Sequence, residues 1–199
     1  VSASLTNLSL EGNSIGSEGA VAVAKSLEVN ASLTSIDLSL NDLQKDGAVA
    51  VANALHVNAS MKKMNVLSNS IGTEGGQALV DAAPPQLQTF CGFKEDQTEA
   101  DLKGEPGKRL GPGDAVLLAW ELTTGYVSAS ITNLNLYDNK IGKDGAVAVA
   151  KALEVNASLT SIDLSRNDLG KDGAVAVANT LHVNASITNL DLRYNQIGS

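Results

Sequence analysis

The chain has 199 residues, 43% apolar and 18% charged, with a formal net charge of -8. That apolar content excludes a disordered chain, and no apolar run approaches the roughly 20 residues needed to span a bilayer. The acidic balance, without a Lys/Arg cluster, speaks against nucleic acid or an anionic membrane as partner, and a lone cysteine, Cys91, excludes an intramolecular disulfide framework.

In chain order, the first predicted element is a short strand. Leu8 and Leu10 face the core and Ser9 between them faces out, the alternation of an extended chain. A return helix follows over GAVAVAKSL, with Ala20, Val23, Ala24 and Leu27 on one apolar face. Val21 lies off that face, as do Val49, Val147 and Val175 in later helices. Burial between neighbouring helices is expected for them, with an exposed convex patch as the alternative. Asn30 comes after the helix, where asparagine tolerates the left-handed conformation of a helix end; Asn58, Asn156 and Asn184 stand at equivalent places.

The same succession returns from residue 33 and from residue 61, where Pro84-Pro85 ends the helix. LQTFCGF, residues 87–93, reads as a fourth strand, with Cys91 outward and inert because no base is indicated beside it. The polar stretch KEDQTEADLKGEPGKR, residues 94–109, admits two layouts. It is either an inserted loop, or TEADLK is a further strand resembling TSIDLS. The loop is favoured, because a parallel neighbour needs a crossover of a dozen or more residues. Regularity resumes at Leu110-Gly111. The helix DAVLLAWEL follows, with Trp120 read as core filler or loop anchor.

Residues 127–186 then repeat residues 1–60, with 49 of 60 positions identical. Within both blocks the period is 28, with starts at 5, 33 and 61 and at 131, 159 and 187. The irregular unit from 87 spans 44 residues. Each unit reads L-x-x-L-x-L-x-x-N, then I/L-G-x-x-G, then an alanine–valine helix. This pattern resembles the leucine-rich repeat, specifically the 28-residue ribonuclease-inhibitor-like class also found in NOD-like receptors. The resemblance implies an α/β solenoid over residues 1–199. Strands about 4.8 Å apart pack more tightly than helices 8–10 Å apart, so a curved horseshoe arc with a concave parallel sheet and outer helices is expected. With no capping repeat recognisable, the chain reads as a fragment of a longer array or as a unit that stacks head to tail on its copies.

Asn13, Asn41, Asn69, Asn139, Asn167 and Asn195 form one column where each strand ends. An asparagine amide can serve both N–H and C=O groups of the turning backbone, and the resemblance implies a ladder of this kind. The resemblance also implies a non-enzymatic protein-binding scaffold inside the cell, in the cytoplasm, and the cysteine-rich caps of the extracellular classes are not seen in the sequence. The second block offers the richer outward face: Asn135, Asp163 and Asp191, then Tyr137, Ser165 and Arg193, then Asp138, Arg166 and Tyr194. Tyrosine and arginine are enriched where binding energy concentrates. A partner site of Tyr137, Asp138, Asp163, Arg166, Asp191, Arg193 and Tyr194 is therefore expected, with a plain polar sheet face as the alternative.

No nucleotide-binding, hydrolase, zinc or redox motif is present, so no catalytic residue, metal or cofactor is expected. His56 and His182 occupy equivalent positions near helix ends and read as surface residues. The competing functions are a self-assembling array, a regulatory fragment, and an arginine-supplying array similar to the GTPase-activating proteins for Ran. In the last, Arg166 or Arg193 would be the candidates.

Overall fold

A computed structural model describes residues 4–125 and 127–198. Val1 and Ser199, the ends of the expected 1–199 solenoid, lie outside the described residues. Strands and helices alternate: β1 (Asn7–Ser9), α1 (Gly16–Val29), β2 (Ser35–Asp37), α2 (Gln44–Leu55), β3 (Lys63–Asn65), α3 (Gly72–Asp81), β4 (Glu99–Asp101), α4 (Pro112–Thr123), β5 (Asn133–Asn135), α5 (Gly142–Val155), β6 (Ser161–Asp163), α6 (Gly170–Thr180) and β7 (Asn189–Asp191).

All strands pair in parallel. Leu8 lies opposite Ile36 and Ile36 opposite Met64; in the second sheet Ala100, Leu134, Ile162 and Leu190 align. These central residues point to the helices, and Ile36, Met64, Leu134 and Ile162 are buried. The neighbours on either side point the other way, so one sheet face is polar throughout. Each helix packs on the helices before and after it in sequence. The wider helix spacing bends such a stack with its sheet inward.

The asparagine column closes the strand ends. Asn41 Nδ2 donates to the carbonyls of Leu10, Leu38 and Ser39, while its Oδ1 accepts the amides of Asn13 (2.8 Å) and Ile15 (3.3 Å). Asn69, Asn167 and Asn195 bond in the same way to the unit before them. Asn139 donates to Leu102 and Leu136 and accepts the Leu110 amide.

Three sequence expectations need correction. First, the helix-end asparagines are not left-handed: Asn30 (φ -90°, ψ 117°) and Asn156 (φ -73°, ψ 126°) are extended. Their work is done by the side chain. Asn58 Oδ1 accepts the amides of Ser60 and Met61, and its Nδ2 donates to Leu27 and Asn30 of the preceding unit. A second asparagine ladder therefore runs along the opposite edge.

Second, residues 94–109 are not one loop, because β4 pairs with β5 along its length. The crossover constraint governs neighbours in one sheet, and the chain avoids it by ending the first sheet. The strand expected over 87–93 does not form: the segment meets β3 only at isolated bridges, Lys63–Thr89 and Asn65–Cys91, with Met64 N–H donating to the Thr89 C=O. β4 then begins a new sheet, so two sheets of three and four strands stand beneath an unbroken row of helices.

Third, Cys91 is buried, not outward. The backbone turns at Gly92 (φ 71°), where the Asn65–Cys91 bridge has become antiparallel, and inward–outward alternation stops. Phe90, Cys91 and Phe93 all enter the core.

Helix α4 holds this junction with two buried acids. Asp114 Oδ1 accepts the Ser68 amide at 2.9 Å, and its Oδ2 accepts the Gly111 amide at 2.8 Å. Glu121 Oε1 accepts the Thr89 hydroxyl (2.7 Å) and the amides of Phe90 (2.7 Å) and Cys91 (3.1 Å), while Oε2 has no partner. Burial raises both carboxyls above their ordinary range, Asp114 to about 6, against the lowering effect of the amides they accept. Burial, followed by the two nearby carboxylates, pushes the Cys91 thiol well up, which keeps it protonated and unreactive.

Candidate protein-binding face

The outward side of the second sheet carries its distinctive residues just past the strands. After β5, β6 and β7 the chain passes through Asp138 (φ 55°), Arg166 (φ 54°) and Tyr194 (φ 58°) in left-handed conformation. Gly12 (φ 69°) stands in the same column of the first block, where no side chain opposes the turn. Leu40 (φ 59°) and Ser68 (φ 60°) make the same turn in the first sheet, so the conformation belongs to the repeat and does not by itself mark this face. Sequence reasoning missed this shared turn, for which the glycine at Gly12 was the signal.

The turn sets three side chains in a stack. The Arg166 guanidinium lies 4.9 Å from the Tyr194 ring centre and 5.8 Å from that of Tyr137. Both separations suit cation–π attraction. Tyr137 and Tyr194 are 37% and 70% exposed, so the stack faces solvent. Among the described residues the Arg166 side chain makes no ion pair or hydrogen bond, which leaves its N–H groups open.

The remaining expected residues are already engaged. Arg193 bonds to both carboxylate oxygens of Asp191 and holds that carboxyl below its usual range. Asp163 Oδ1 accepts the Ser165 amide (2.8 Å) and hydroxyl (2.6 Å), which fixes the carboxylate against the sheet. Asp138 is paired with Arg109, whose Nη2 lies 2.7 Å from Oδ2. Arg109 was not anticipated, because it lies in the polar stretch whose folding the sequence pattern did not reveal. Arg109, Lys140, Arg166 and Tyr194 surround a hollow of about 310 Å³ beside the stack.

On the first sheet the equivalent column is Gly12, Leu40 and Ser68, with no aromatic or guanidinium group. The described residues contain no cluster of His, Cys, Asp and Glu suited to a metal ion, and no helix long and apolar enough to cross a membrane. His56 and His182 are both exposed near helix ends.

A family model described as Leucine Rich repeat matches residues 1–24, 29–52, 57–80, 127–150, 155–178 and 183–199. The chain belongs to the leucine-rich-repeat family, whose repeats generally mediate protein–protein binding and form a non-enzymatic fold. No curated protein matches the chain.

Proposed function

We propose that this chain is a scaffold of the ribonuclease-inhibitor-like class that captures a protein partner inside the cell on the second sheet. Tyr137, Arg166 and Tyr194 form the centre of that site, with Asp138, Asp163, Asp191 and Arg193 around it. The 28-residue period supports the class. The observation that carries the binding site is Arg166, held between two exposed rings with its N–H groups uncommitted. A guanidinium fixed in this way loses little side-chain entropy when a partner carboxylate arrives. The neighbouring carboxylates and Arg193 are pre-set by bonds within the chain and supply the orienting rim.

The test is affinity capture with the wild-type chain and with a variant carrying Tyr137→Ala, Arg166→Ala and Tyr194→Ala. Proteins retained by the wild type should be lost by the variant while its circular dichroism is unchanged. Equal retention by the two chains would refute this face as the binding site.

A further inference from the structure

Helix α4 departs from its neighbours in how it distributes charge. The other five helices each expose charged side chains, such as Glu18 and Lys25 on α1 or Lys171 and Asp172 on α6. In α4 the only charged residues, Asp114 and Glu121, are buried at the sheet junction. Its outer stripe is Val116, Ala119, Trp120 and Thr123, which are separated by three or four residues and lie on one face.

That stripe lines a groove of about 520 Å³. The flanks come from Thr73, Gln77 and Val80 of α3, and from Asp144, Val147, Ala148 and Lys151 of α5. Close approach of α3 and α4 defines one side of it. A Cβ on Gly76 would fall 2.6 Å from the Gly113 carbonyl oxygen, so the two backbones touch there. Trp120 packs edge-on to Phe90, with ring centres 5.2 Å apart, and stays only partly buried.

We propose that this groove, on the helix side and away from the sheet face, docks an amphipathic helix of a partner protein. Lining positions on all three helices recur at helical spacing over about two turns, a surface into which the ridges of a fourth helix fit. Charge then specifies the occupant. Asp144 and Lys151 stand seven residues apart on the α5 flank, and neither forms an ion pair among the described residues. Glu74, at the same end as Asp144, is already held by Lys45 at 2.9 Å. The docked helix therefore carries a basic side chain facing Asp144 and an acidic one about two turns along facing Lys151, with an apolar stripe between them.

Trp120 is the only tryptophan of the chain, so its emission reports on the groove directly. The probe is a designed tryptophan-free helical peptide with leucines at helical spacing, one lysine and one glutamate seven residues apart; a control peptide carries glutamine at both charged places. Titration should move Trp120 emission to the blue in a saturable manner. Ala148→Arg and, independently, Val147→Asp should abolish the change with the circular dichroism preserved. Asp144→Asn and Lys151→Gln should each weaken the charged peptide about threefold, as exposed ion pairs do, and leave the control peptide unaffected. Emission that does not respond, or a response that survives both groove variants, would overturn the docking site. Equal losses for the two peptides would overturn the charge assignment. None of these readouts involves Arg166, so failure here is separable from failure of the sheet-face reading.

Discussion

Asp114 on α4 accepts the amide of Ser68, 46 positions earlier in the chain, at 2.9 Å inside the core. This carboxylate serves the turn beyond β3, where in other units a backbone carbonyl of the next strand's turn accepts the same amide, as Ser39 does for Gly12 and Leu67 for Leu40. Its cost depends on pH. Burial lifts the folded carboxyl from the ordinary 3.8 to about 6. Between those values the folded chain holds a proton that the unfolded chain has released, so this group's contribution to stability is greatest below pH 3.8 and falls as pH rises towards 6. The loss approaches about 3 kcal/mol, at 1.36 kcal/mol per pKa unit. Denaturant unfolding of the wild type and of Asp114→Asn at a series of pH values should show their difference in stability changing across this window and constant above it.

Glu121 gives the complementary test. Its Oε1 satisfies three donors, whereas Oε2 is buried without one. Glutamine keeps the acceptor and removes the buried charge, so Glu121→Gln should match or exceed wild-type stability at neutral pH. Glu121→Ala leaves the Phe90 and Cys91 amides and the Thr89 hydroxyl unpaired and should cost about 2–4 kcal/mol. The order Gln, Glu, Ala in unfolding midpoints checks this.

At Arg166 the usual ranking of small residues should invert. Its φ of 54° suits glycine, and alanine retains the Cβ that opposes the left-handed turn. Arg166→Gly should be more stable than Arg166→Ala by about 1 kcal/mol, while both remove the stacked guanidinium. Thermal unfolding of the two variants decides it.

Asn41→Ala should destabilise the chain by about 2–4 kcal/mol, since it removes three donated bonds and two accepted ones in the core. Hydrogen exchange offers a local signature. The amides of Asn13 and Ile15 should exchange faster in the variant, well ahead of amides in β6.

The regular units were legible because one pattern sets every contact. Leu8, Ser9 and Leu10 give strand alternation, and the 28-residue spacing fixes the register of their neighbours. The junction was not legible, because there the pattern inverts. Asp114 and Glu121 lie seven residues apart on one helix face, which ordinarily marks a solvent face, yet both point inward to unpaired backbone. Cys91 was misplaced for a related reason, since alternation predicts its side only while the strand continues, and Gly92 ends it. The Tyr137–Arg166–Tyr194 stack was legible as composition. Its geometry was not, since the shared left-handed turn shows in the sequence only through Gly12.

Because the strand ladder stops after the 87–93 segment while the helices continue, the two halves meet through the α3–α4 packing and the buried acids of α4 and not through paired strands. In a quasi-one-dimensional stack, cooperativity is the product of such contacts, and the weakest sets where it divides. Loss of order on one side would therefore be relayed to the other through α4, the helix on which the single core turns from one sheet to the next.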